Sequence, residues 1–172
     1  NDEVFDSIVP ILIEKVKEGV EVRILYDGMG GRFMPKRRWE EMRLAGIRVG
    51  TFFPPFLGWL NLRVNYRNHR KIVVIDGRTA FTGGVNLADE YINAKVRFGH
   101  WKDTAVMIKG DAVTSFTMMF LQMWNVSELK KEKFEPYLTT MAKELKPETG
   151  FVLPYGDSPY DHENVGEEVY VH

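Results

Sequence analysis

Residues 68–86, "NHRKIVVIDGRTAFTGGVN", decide how the rest of the chain is read. Two apolar runs, "KIVVID" and "RTAFTGG", flank an Asp-Gly pair at 76–77, which is a strong hairpin signal. His69 and Lys71 stand two apart at the head of the first run. Residues two apart in an extended strand share a face, so both side chains are expected to project together. On the same alternation Val73 and Ile75 continue that face toward the interior. Gly83, Gly84 and Asn86 follow the second run.

Working outward, helices and strands alternate. Phe5, Ile8, Leu12 and Val16 predict a helix over 3–19 that stops at Gly19, with Pro10 marking a kink or a late start. "VEVRILYD" reads as a buried strand, "GMGG" as a loop, 35–44 as a second helix and "IRVGTFF" as a second strand. "TAVMIKG" (104–110) is a further strand. Val113, Phe116, Phe120 and Met123 mark a helix from Asp111 to Trp124, and 127–146 is expected to be a more polar helix. The tail from Phe151 begins like a strand and turns polar. The fold class expected is α/β, with a mixed, largely parallel sheet flanked by helices.

The bulk numbers set limits. A length of 172 residues fits one domain with a real core. The net charge of -1 argues against a track for nucleic acid, although Lys36-Arg37-Arg38 and Arg63 to Lys71 are local basic patches. No apolar run reaches the roughly 18 residues of a membrane span. The absence of cysteine excludes disulfides and thiolate metal sites. No cluster of His and carboxylates has metal-ligand spacing, and no cofactor is implied. His100, His162 and His172 are isolated and read as structural or solvent-facing.

Written out, the central pattern is H-x-K, four residues, D, six residues, G-G-x-N, that is His69, Lys71, Asp76, Gly83, Gly84 and Asn86. A lone His on a strand is ordinarily structural. Six defined positions match by chance on the order of one time in a million, which argues for chemistry. The residue types suit a phosphodiester. A His nitrogen can attack phosphorus and form a covalent phospho-His. Lys71 is a compact cation for a phosphate oxygen, and Asn86 adds amide donors. Gly83 and Gly84 let the backbone turn and come close.

This pattern resembles the signature of the phospholipase D superfamily. "NHRKIVVIDGRTAFTGGVNLADEYIN", "GHWKDTAVMIKGDAV" and "PYGDSP" are similar to bacterial cardiolipin synthases, as is "YDGMGG", although a Ser is common where Gly31 stands. The resemblance implies a catalytic set of His69, Lys71, Asp76 and Asp103, with Lys71, Asn86 and Gly84 on the phosphate. Asp103 is expected to hydrogen-bond the imidazole of His69 and fix its tautomer. Asp76 lies seven residues from His69, on the opposite face, and is expected to serve the turn. The superfamily needs no metal.

Catalysis of this type takes two such motifs face to face, one His attacking and the other protonating the leaving alkoxide. This chain holds one. The resemblance is to the first motif of the synthases. The whole chain, 1–172, is therefore read as a single catalytic half-domain cut from a longer protein, with 151–172 as a linker into a second half. The implied substrate is an anionic phospholipid such as phosphatidylglycerol. The implied partner is a second half of the same chain, or the other copy in a homodimer. The parent enzyme is expected at the cell membrane with its catalytic part facing the cytoplasm, anchored by regions outside this chain, and the fragment itself is expected to be soluble. Alone, it should bind phosphate-like anions weakly and turn over little. Two other readings are a homodimeric phosphodiesterase acting on nucleic acid and a non-catalytic domain that binds anionic headgroups. "TFFPPFLGWLNL" (51–62), with Phe52, Phe53, Phe56, Leu57 and Trp59, is either a loop folded into the core or an apolar lip toward the bilayer, with Arg63, Arg67 and Arg70 behind it.

Overall fold

A computed structural model describes residues 3–52, 67–129, 131–138, 149–157 and 164–171. Most of the aromatic segment, residues 53–66, lies outside these, as do His162 and His172. The first half is a β-α-β unit. Helix α1 (Glu3–Lys17) leads to strand β1 (Arg23–Asp27). Helix α2 (Lys36–Leu44) then crosses over to strand β2 (Arg48–Phe52). β1 and β2 pair in parallel, Arg23 opposite Arg48 and Asp27 opposite Phe52. α1 does not start late: it is helical from Glu3 and carries Pro10 inside it, forgoing one backbone hydrogen bond.

The second half is antiparallel. Strands β3 (Ile72–Ile75), β4 (Thr79–Gly83) and β5 (Ala105–Lys109) form a three-stranded sheet in that order. The hairpin between β3 and β4 turns on Asp76 (φ 53°) and Gly77 (φ 64°), with the Arg78 amide donating to the Ile75 carbonyl at 2.9 Å. Two successive positive φ angles are what the twist of a tight hairpin requires, and Asp-Gly supplies them at least strain. Among the described residues the fold is thus α/β with one parallel and one antiparallel sheet.

Helix α3 (Val113–Glu128) joins the two halves. Its first turns bury Val113 and Phe116 with Ala80, against Ile72, Val74 and Ile108. Further along, Trp124 lies against the Gly50 position of β2. The opposite side of the β1–β2 pair is covered by α1 and α2, where Phe5, Trp39, Met42 and Ile47 gather Ile24, Tyr26 and Val49. Tyr26 stacks on Trp39 at 3.9 Å between ring centres.

Three expectations need correction. The polar helix expected over 127–146 is not continuous in its described part: α3 ends at Glu128, Leu129 adopts a left-handed conformation, 131–134 are irregular, and Glu135–Tyr137 form a single 3-10 turn. The Glu132 main chain instead bonds both ends of the Asn125 side-chain amide, its N–H donating to Oδ1 and its carbonyl accepting from Nδ2, and its carboxylate is taken by Arg23 and Arg48. The tail shows no strand over 151–157, and residues Val165–Val171 form a short helix, α4. Finally, Val73 and Ile75 do not face the interior. They are about half exposed, and the alternate residues Ile72 and Val74 pack on α3.

Candidate active site

Strand direction assembles the site. In an antiparallel sheet the start of β3, the end of β4 and the start of β5 lie at one edge. His69 and Lys71 precede β3, Gly84 and Asn86 follow β4, and Asp103 precedes β5. Pairing runs to this edge, with Ile72 opposite Thr82, Gly83 opposite Ala105, and the Gly84 amide donating to the Thr104 carbonyl at 3.2 Å. Asp76 sits in the turn at the other end of β3, exposed.

His69 is exposed, and its ring has no hydrogen-bond partner among the described residues. Its main chain is what is held. The Asn68 side-chain oxygen accepts from the Arg70 amide at 3.1 Å, closing a turn with His69 at its centre. Lys71 Nζ donates to the His69 carbonyl at 2.7 Å. The Asn68 amide donates to Asp27 Oδ2 at 3.1 Å, and the Arg67 guanidinium donates to Asp27 Oδ1. Asp27 also takes the amides of Met29 and Gly30. Burial pushes the Asp27 carboxyl up, but the Gly30 and Asn68 amides and the Arg67 charge outweigh it and hold it below its ordinary value. On the far side, Arg70 reaches the carbonyl of Asp157 at 3.0 Å, in the "PYGDSP" segment. Asn68 and Arg70 line a small pocket of about 50 Å³ with Leu25, Ile72, Met119 and Phe120.

The other motif residues form a second group. The Asp103 carboxylate fills the space over Gly84, so that a Cβ there would run into it. Asp103 Oδ1 accepts from the Thr104 amide at 2.7 Å and Oδ2 from Trp101 Nε1 at 3.3 Å. Trp101 meets Tyr91 at a tilt of 53°, ring centres 4.7 Å apart, and the Tyr91 hydroxyl accepts from Asn86 Nδ2. Asp103, Trp101, Tyr91 and Asn86 thus form one continuous set of contacts. No hydrogen bond joins Asp103 to His69. Asp103 touches Gly84, and Lys71 rests on His69.

Sequence reasoning missed Asp27, Tyr91 and Trp101. Asp27 had a signal: an Asp before Gly-x-Gly at a strand end is a turn-forming carboxylate. Its partners at 67 and 68 had none. Of the basic residues behind the aromatic segment, Arg67 serves Asp27 and Arg70 serves Asp157. Phe52 is buried at the end of β2.

Comparison with known proteins fits this arrangement. A family model described as "Cardiolipin synthase, PLD-like domain" matches residues 4–124. The "Major cardiolipin synthase ClsA" of Bacillus subtilis is 47% identical over 124 residues, 72% of this chain and 26% of the relative. A "Cardiolipin synthase" of Halalkalibacterium halodurans is 41% identical over 145 residues, 82% of this chain and 29% of the relative. An "Uncharacterized protein" of Streptococcus mutans is 52% identical over 169 residues, 96% of this chain. The chain spans about a third or less of the length of these relatives, 35% at most. On a match that runs from α1 into α3 and includes every motif residue from His69 to Asp103, the chain belongs to the cardiolipin synthase family of phospholipase D-like domains.

Proposed function

We propose that this chain is the nucleophile-bearing half of a phosphatidyltransferase of cardiolipin synthase type. One ring nitrogen of His69 attacks the phosphorus of an anionic phospholipid such as phosphatidylglycerol. The P–N bond forms as the P–O bond to the glycerol headgroup breaks. The leaving alkoxide takes a proton from the His of a second motif, contributed by a further part of the same chain. The hydroxyl of a second lipid then attacks the phospho-His, gives its proton back to that His, and restores His69. Lys71 and Asn86 neutralise the oxygens of the five-coordinate phosphorus. Lys71 Nζ leaves the His69 carbonyl for phosphate by side-chain rotation alone. Asp76 supports the turn, and Asp103 packs against Gly84 at the same edge.

The observation that carries this reading is the common sheet edge shared by His69, Lys71, Gly84, Asn86 and Asp103, with the His69 imidazole open to solvent. In the enzyme with both motifs, His69→Ala is expected to lower phosphatidyl transfer by about 10⁴-fold or more, and phosphorus-31 spectra of acid-quenched wild type should show a phosphoramidate. Full transfer activity in His69→Ala would remove His69 from the chemistry.

A further inference from the structure

Between Asn86 and Asp103 the chain makes an excursion that leaves the site and returns to it. Asn93 closes its neck. It adopts a left-handed conformation (φ 59°), and its side chain bonds both main-chain groups of Trp101, accepting from the amide at 2.6 Å and donating to the carbonyl at 2.9 Å. The Ala94 and Lys95 amides both donate to the Asp89 carbonyl. Among the described residues the tip that this latch presents is largely open: Val96 is 77% and Phe98 76% exposed. Ile92 and Leu87 add further exposed apolar surface at its base.

Two large apolar side chains held out by a bonded neck do not lower the free energy of a chain in water, so an apolar medium is the partner they fit. The charge identifies the medium. Residues 91–102 carry Lys95, Arg97, Lys102 and His100 and no acidic residue, within a chain of net charge -1. Arg97 lies over the Phe98 ring and pairs with Glu90 at 3.2 Å, so part of its charge is spent within the loop. Apolar side chains alternating with cations fit a negatively charged lipid surface, the rings entering the acyl region and the cations meeting headgroups.

We propose that the tip Lys95–Phe98 is a docking spur that seats this edge of the domain on an anionic bilayer. Because its two stems are Asn86 and Asp103, docking brings the membrane surface beside His69. What docking delivers rests on the phospholipid reading of the neighbouring site, but docking itself does not require turnover.

The test uses the 172-residue chain with two kinds of vesicle, pure phosphatidylcholine and an equal mixture with phosphatidylglycerol. Flotation is expected with the mixed vesicles and to weaken at high salt. Val96→Ser with Phe98→Ser should reduce it about tenfold or more, and Lys95→Glu should reduce it further, with unchanged near-ultraviolet dichroism. Phe98→Trp should be quenched by brominated acyl chains. No flotation with mixed vesicles, undiminished flotation of the double Ser variant, or an unquenched tryptophan at 98 would each overturn the proposal. His69→Ala should float like the parent while lacking transfer in the two-motif enzyme. Loss of the spur and loss of the catalytic reading therefore give different results.

Discussion

Three backbone amides and the Arg67 guanidinium converge on the Asp27 carboxylate, and through Asn68 this anchor fixes the main chain next to His69. Asp27→Asn keeps the shape but swaps one acceptor oxygen for an amide NH2, a donor that faces donors. We expect a loss of about 2 kcal/mol, read by urea unfolding of the chain, with weaker binding of inorganic phosphate by titration. A variant as stable as the parent would mean that Asp27 is a bystander. At this scale the motif residues were legible because type and spacing both carry the signal. The turn role of Asp27 had a local signal, but its reach to residue 68 did not, since that partner amide lies 41 residues away. The bond expected between Asp103 and His69 came from resemblance; the acceptor is instead committed to Trp101 and its own loop.

Among elements, the β3–β4 hairpin was readable from Asp76-Gly77, while the buried face of β3 was not. Val73/Ile75 and Ile72/Val74 are both apolar sets, and alternation alone gives them equal claim to the interior. Docking of α3 through Val113 and Phe116 decides for Ile72 and Val74. The end of α3 was hidden for a related reason: a polar run after 127 favours more helix, and distant arginines draw Glu132 out of it. Gly77→Val tests the hairpin. A β-branched side chain at φ 64° should cost about 1–2 kcal/mol, seen as a lower thermal midpoint by circular dichroism. An unchanged midpoint would show that the turn is not under this constraint.

Across the whole molecule, a charge network ties the first strands to the segment beyond α3. Arg23, its side chain only 7% exposed, meets Glu132 and Glu21 at 2.6 Å and lies over the rings of Trp124 and Tyr137. Arg48 bonds the same two carboxylates. At Glu132 the Arg23 bond leads in lowering the carboxyl below its ordinary 4.5; at Glu21 burial raises it, but the two arginines more than offset that. Groups whose folded pKa is depressed stabilise fully above the unfolded value and lose that contribution as pH falls through the folded one. Stability should therefore drop as pH falls below about 4.5. Glu132→Gln should cost about 2 kcal/mol at neutral pH and flatten this acid limb in urea titrations. An acid limb as steep as the parent's would assign it to other carboxylates.

The Asp27–Asn68 bond also has a consequence in time. The β3–β4 hairpin closes over a two-residue turn, an event of roughly 1–10 μs. The grip of Asp27 on Asn68 joins positions 41 apart in the chain, and ring closure becomes less probable as the enclosed chain lengthens. During folding, then, the two-stranded ribbon forms early while the imidazole it introduces still wanders. That imidazole settles only when the β-α-β unit has condensed and the end of its first strand arrives to catch the chain one residue upstream.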